Sequence, residues 1–133
     1  MNIWRIPRAS RRWKRGLATV ETAIVMPVMV VLVLGTIEFG SIFFVRNMMV
    51  HAASDAARML SLPGGNIDDA RLLAQSRLEG LGAEFMVTAT EQPSSFNGDT
   101  EVTVRISVPG SAISLGLYSF SDVVVSVTLR KEA

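Results

Sequence analysis

From Thr22 to Val45 the chain runs for 24 residues with a single charged side chain, Glu38. Nothing else in its 133 residues limits the fold as strongly. A helix rises about 1.5 Å per residue, so roughly 20 apolar residues cross a bilayer core of about 30 Å. One transmembrane helix is therefore expected, spanning about 22–45, and no second apolar run approaches that length. The flanks give it a direction. Arg5, Arg8, Arg11, Arg12, Lys14 and Arg15 precede Gly16, and no acid appears before Glu21. After Gly16 the remaining seven basic residues face all 12 acids. Basic residues against one end of a span hold that end in the cytoplasm. The amino terminus is thus expected inside, and everything beyond about Arg46 outside.

Two competing accounts of this pattern are weaker. A basic head rich in Arg and Trp is also a nucleic-acid signature, but beside a membrane span orientation is the better use for it, and no nucleic-acid partner is expected. A cleaved secretory signal has an apolar segment of about 7–15 residues and an A-x-A-like site. Here the run is far longer, Glu38 interrupts it, and "VHAASDAARM" is an indifferent site. An uncleaved signal anchor accounts for the charge and the length, but not for Glu21.

Beyond the membrane the helix is expected to continue as a stalk over about 46–62. Steps of 100° place Met48, Met49, Ala52, Ala53, Ala56, Met59 and Leu60 on one face, with Asn47, His51, Ser54, Asp55 and Arg58 opposite. His51–Asp55 and Asp55–Arg58 lie at helical neighbour spacings. "LPGGN" ends the helix. A continuous helix over 17–62 would measure about 70 Å.

Residues 63–133 read as a small α+β head. Asn66 caps a short helix whose first turn carries Asp68 and Asp69, in keeping with the helix dipole, and which ends at Gly80 or Gly82. Strands are expected at Phe85–Glu91, in "TEVTVRISVP" and in "DVVVSVTLR", the last two alternating cleanly between apolar and polar positions. "PSSFNGD" supplies a hairpin loop with Asn97-Gly98 as its turn. "GSAISLGLYSF" reads equally as a fourth strand or a short helical turn. Ile67, Leu72, Leu73 and Leu78 are expected to cover one face of an antiparallel sheet of three or four strands.

Composition argues against an enzyme. The chain has no cysteine and one histidine. That leaves no disulfide, no thiol nucleophile and little with which to hold a transition metal. His51 falls on the polar stalk face, and Asp68 and Asp69 need no metal to explain them. No nucleophile elbow, P-loop or dinucleotide fingerprint is present. No catalytic residue, cofactor or metal is expected.

The chemistry lies at the membrane boundary. "RRWKRG" followed by "LATVETAIVMPVMVVLVLG" has the arrangement of a type IV prepilin leader: a basic segment ending in Gly16, an apolar residue, and Glu21 five places after the glycine. The chain as far as Leu62 resembles the TadE-like family of minor pseudopilins more closely, through R-G, a Val-Glu pair, a proline within the run, "GTIEFG" and an Ala-rich helix ending near Arg58. The head agrees only in general character.

That resemblance implies a fate and a set of partners. A prepilin peptidase would cut between Gly16 and Leu17 on the cytoplasmic side, because a side chain at position 16 obstructs it. Cleavage would remove the leader, with Arg11, Arg12, Lys14 and Arg15, and expose the Leu17 α-amino group. The other implied partners are pilins, pseudopilins and Tad-type assembly machinery, alongside membrane lipid. The expected location is a bacterial inner membrane, single-pass, with a periplasmic head and incorporation into an extracellular pilus as a further outcome.

A charged side chain at membrane depth costs a few kcal/mol, so Glu21 needs a partner or water. Either the Leu17 ammonium of a neighbouring subunit meets it and sets register, or Glu21 is wetted among the headgroups. Glu38 lies 17 residues further on, about 25 Å along a helix, too far to pair with Glu21 in one chain. Two settings are open for it: the outer interface near Arg46, or a partner helix brought close at Gly35 and Gly40. Pro27 is expected to loosen the helix. The functional classes are then a structural pseudopilin of a Tad/Flp-type pilus and, as the alternative, a membrane-anchored extracytoplasmic binding module.

Overall fold

The structure is a computed structural model that describes residues 10–94, 99–114, 116 and 120–131, and the backbone alone at 10–15. Two compact units divide it, one ending at Ile37 and the other beginning at Glu38.

Helix α1, Ser10–Ser61, passes through both units. It begins six residues ahead of Gly16, so the basic segment joins the helix rather than preceding it. Pro27 lies inside α1 without ending it. Proline removes one i→i−4 hydrogen bond, a loss that helices in membranes accommodate. In the first unit nearly every large apolar side chain from Leu17 to Ile37 is exposed. Within α1, Gly16–Ser61 is long and apolar enough to cross a membrane, and only 11% of its most apolar 18-residue stretch is buried. This is compatible with a single-pass anchor.

The second unit is α+β. Its remaining elements are α2 (Ile67–Leu78), β1 (Met86–Pro93), β2 (Thr100–Val108), the single turn α3 (Gly110–Ile113) and β3 (Val123–Arg130). The strands form one antiparallel sheet in the order β1-β2-β3. The alternation in "TEVTVRISV" is realised as written: Val102, Val104, Ile106 and Val108 are buried, while Arg105 is exposed. The link between β2 and β3 provides the turn α3 in its described part, and Leu115 and 117–119 lie outside the described residues, as does the Asn97-Gly98 turn.

Among the described residues, helix α1 supplies seven of the sixteen buried residues of the core. Val45, Met49, Ala52, Ala53, Ala56, Ala57 and Leu60 are buried in one cluster with the inward residues of the sheet. Met48 is partly buried against that cluster, and Ala57 joins the face beyond the expected set. The part of the helix from Val45 onward is therefore not a free stalk. Four alanines, Ala52, Ala53, Ala56 and Ala57, are among the residues it buries there. The turn after it is equally tight: Gly64 has φ 81°, and a Cβ at Gly65 would stand 2.6 Å from the Met59 carbonyl oxygen. Only glycine fits there.

Helix α2 is capped as expected. Asn66 Oδ1 accepts from the Asp68 amide at 3.0 Å, and Gly80 takes φ 97° beyond the end. Its buried face differs. Ala70, Ala74 and Leu78 are buried, Ile67 packs beside them, and Leu72 is 63% exposed. The i, i+4, i+8 row of Ala70, Ala74 and Leu78 seats the helix, which turns Leu72 to the far side. Asp55 pairs with Arg77 of α2 at 3.4 Å, and neither expected pair along the helix, with His51 or with Arg58, forms. The tertiary neighbour offered a guanidinium that the helical spacing did not require.

Candidate functional site

Two places carry the residues singled out by sequence, one in each unit. In the first unit Gly16, Leu17 and Glu21 lie on consecutive turns of α1, and all three are exposed. Leu17 is 72% exposed. Glu21 makes no hydrogen bond or ion pair among the described residues, although its neighbour Thr22 is held by the Ala18 carbonyl at 2.9 Å. Gly16 is an ordinary helical residue, and a Cβ built on it meets nothing within 4 Å. Glycine inside a helix costs roughly 0.5–1 kcal/mol relative to alanine. Neither backbone conformation nor packing in this chain returns that cost. Arg11, Arg12, Lys14 and Arg15 belong to α1, while their side chains lie outside the described set.

In the second unit Glu38 is wholly buried, at 0% exposure. Its side chain is enclosed by residues of its own unit. The Ser114 hydroxyl, just after α3, donates to Glu38 Oε1 at 2.6 Å. Ser114 Oγ in turn accepts from the Gly116 amide at 3.0 Å. Beside this chain of hydrogen bonds, Phe39 and Phe120 meet edge to face, with centroids 6.1 Å apart and planes at 75°. Gly110 closes the arrangement, because a Cβ there would strike the Phe120 and Ser121 carbonyls. The link between β2 and β3 is thereby clasped onto α1 at the first residues of the unit.

The second Glu38 oxygen, Oε2, is buried and has no hydrogen-bond partner. A carboxyl group out of water is costly unless its lone pairs are used, so the Ser114 hydroxyl carries most of the compensation. Gly35 and Gly40 flank the clasp, and a Cβ at either would meet open space. Their bare helical surface remains accessible to another helix. Ser114 was invisible in the sequence: it stands 76 residues from Glu38, in a link with no periodicity.

Among the described residues no cluster of three or more His, Asp or Glu side chains is disposed to hold a metal ion. Among the described residues the two places hold an unpaired carboxylate near an exposed glycine, and a buried carboxyl group built into the second unit.

No curated protein and no solved structure matches the chain. Residues 16–58 match the model of the family described as TadE-like protein, so that over this segment, from Gly16 to Arg58 and including both glutamates, the chain is similar to TadE-like proteins and consistent with a component associated with a Tad pilus.

Proposed function

We propose that the chain is a minor pseudopilin of a Tad/Flp-type pilus: a structural and assembly component rather than an enzyme. A prepilin peptidase cuts it between Gly16 and Leu17 on the cytoplasmic face. The exposed apolar part of α1 ahead of Glu38 holds it in the inner membrane, and the head lies in the periplasm. The observation that carries this reading is the TadE-like match over 16–58, which opens at the glycine of the expected cut.

Physical features support it. Gly16 is exposed, helical and surrounded by open space. The chain's own packing gives no reason to prefer glycine there, whereas an external enzyme that needs a bare backbone does. The ammonium created on Leu17 would sit one helical turn from Glu21 on a neighbouring subunit. Glu21 has no ion-pair partner in its own chain among the described residues and is free to meet it. Such a pair sets register more than it adds stability.

Replacing Gly16 by phenylalanine tests the reading. In cells with an active prepilin peptidase, the Gly16→Phe chain should accumulate in the membrane at full precursor mass. Equal processing of the phenylalanine variant and the parent would refute it.

A further inference from the structure

The free edge of the sheet at β3 has properties that neither the anchor nor the proposed cleavage uses. The Lys131 amide donates to the Thr100 carbonyl at 2.8 Å, continuing the β2–β3 register. Hydrogen-bonded pairs alternate along an antiparallel ladder. Counted in twos from Lys131, residues 123, 125, 127 and 129 turn their backbone groups towards β2. Val124, Ser126, Thr128 and Arg130 turn theirs outward. No backbone hydrogen bond from these four to another segment exists among the described residues.

Native sheets blunt such edges with charge, proline, bulges or cover. The β1 edge follows that rule. The Ser94 amide bonds to Asp99 in the same way, so Val87, Ala89, Glu91 and Pro93 face outward there. Proline has no donor to offer, Glu91 is charged and paired with Lys131 at 2.9 Å, and α2 packs alongside. The β3 edge carries no proline, and its one charge is Arg130 at the very end, paired with Asp99 at 3.2 Å. "VVVSVTL" is uncharged and mostly β-branched, with neither proline nor glycine. Val124 is 41% and Leu129 36% exposed, on opposite faces of the strand.

We propose that the β3 edge is a strand-addition surface that receives an extended segment of a partner protein. Main-chain bonds to Val124, Ser126, Thr128 and Arg130 would hold it, and its side chains would extend both faces of the sheet. The segment carries apolar residues over Val125, Val127 and Leu129, polar ones beside Ser126 and Thr128, and a carboxylate opposite Arg130. The register sets Glu101 and Val102 of β2 opposite Arg130 and Leu129, and the carboxylate that already holds the Arg130 guanidinium is that of Asp99, at 3.2 Å.

A second copy of the chain does not fit. Antiparallel pairing of β3 with itself about Ser126 would set Arg130 against Asp122. Its two-fold axis, however, stands normal to the sheet. Because α1 lies along the core face of that sheet, the operation reverses its direction. Two copies anchored in one membrane with the same topology cannot be related in that way.

The test uses the full chain in detergent micelles and, as probe, a synthetic peptide of the Thr100–Val108 sequence. Amide exchange at Val124, Ser126 and Thr128 should slow about tenfold or more at saturating peptide, as several new hydrogen bonds require. Exchange at Val87 and Ala89 should not change. A peptide carrying Glu101→Lys should bind more weakly. In the protein, Ser126→Pro removes only an outward donor, so melting should hold while the protection disappears; Thr128→Pro serves if the first variant fails to fold. Unslowed exchange at saturating peptide, or protection surviving both proline variants, overturns the proposal. So does a disulfide-linked homodimer of Ser126→Cys, which in a cysteine-free chain would show that the edge pairs with its own copy.

Discussion

Deleting the Ser114 hydroxyl isolates the contact on which the Glu38 clasp rests. In Ser114→Ala the Glu38 carboxyl stays buried and loses the donor at 2.6 Å, while Oε2 still has no partner. Leaving a buried polar group unsatisfied costs about 1–3 kcal/mol. We take about 2 kcal/mol as the expected loss. For a cooperative unit of roughly 100 residues that is a fall in melting temperature of about 8–16 °C. Thermal unfolding of the full chain in detergent, followed by near-ultraviolet circular dichroism, reads it directly. The double variant Glu38→Met with Ser114→Ala removes both the buried carboxyl and its donor, and should recover most of the loss. A Ser114→Ala protein that melts within about 2 °C of the parent would refute the reasoning, because it would mean that Glu38 finds water or another donor unaided.

Three further outcomes follow from the packing and the charges. Ala56→Leu forces a large side chain between α1 and the sheet and should cost about 1–3 kcal/mol by thermal melting, whereas Leu72→Ala, at a position 63% exposed, should change stability by less than about 0.5 kcal/mol. A fragment of residues 63–133 lacks the α1 face that fills the core, so its circular dichroism should be that of an unfolded chain, while a fragment beginning at Glu38 should show mixed helix and strand. Glu21→Gln should leave cleavage largely intact and reduce co-purification with other pilus subunits; full recovery of those subunits with a processed Glu21→Gln protein would show that Glu21 is merely wetted.

Legibility in the sequence divided along physical lines. Elements with a strong period were readable: the apolar run, the alternation in β2 and β3, and the Asn66 cap each follow from local chemistry. The stalk face was read nearly residue for residue, yet its use was not, because periodicity states that a face is apolar and not what covers it. That is why a helix expected to stand free became the wall of the core. Leu72 was misplaced for a related reason. Size suggested that leucines would face the sheet, but close approach favoured Ala70 and Ala74. Glu38 was legible as an anomaly, and its partner Ser114 was not, since no local rule links residues 76 apart. The glycine and Glu21 were legible without tertiary structure, because both lie in an exposed helix and make no contact with the rest of the described chain.

The first residue of the mature chain separates a processed pseudopilin from an uncleaved anchor. Intact-mass and amino-terminal analysis of protein from membranes with an active prepilin peptidase should find Leu17 as the first residue, with the 16-residue leader gone. A mature protein that retains Met1 or Asn2 would contradict the pseudopilin reading and favour an uncleaved anchor carrying a binding head.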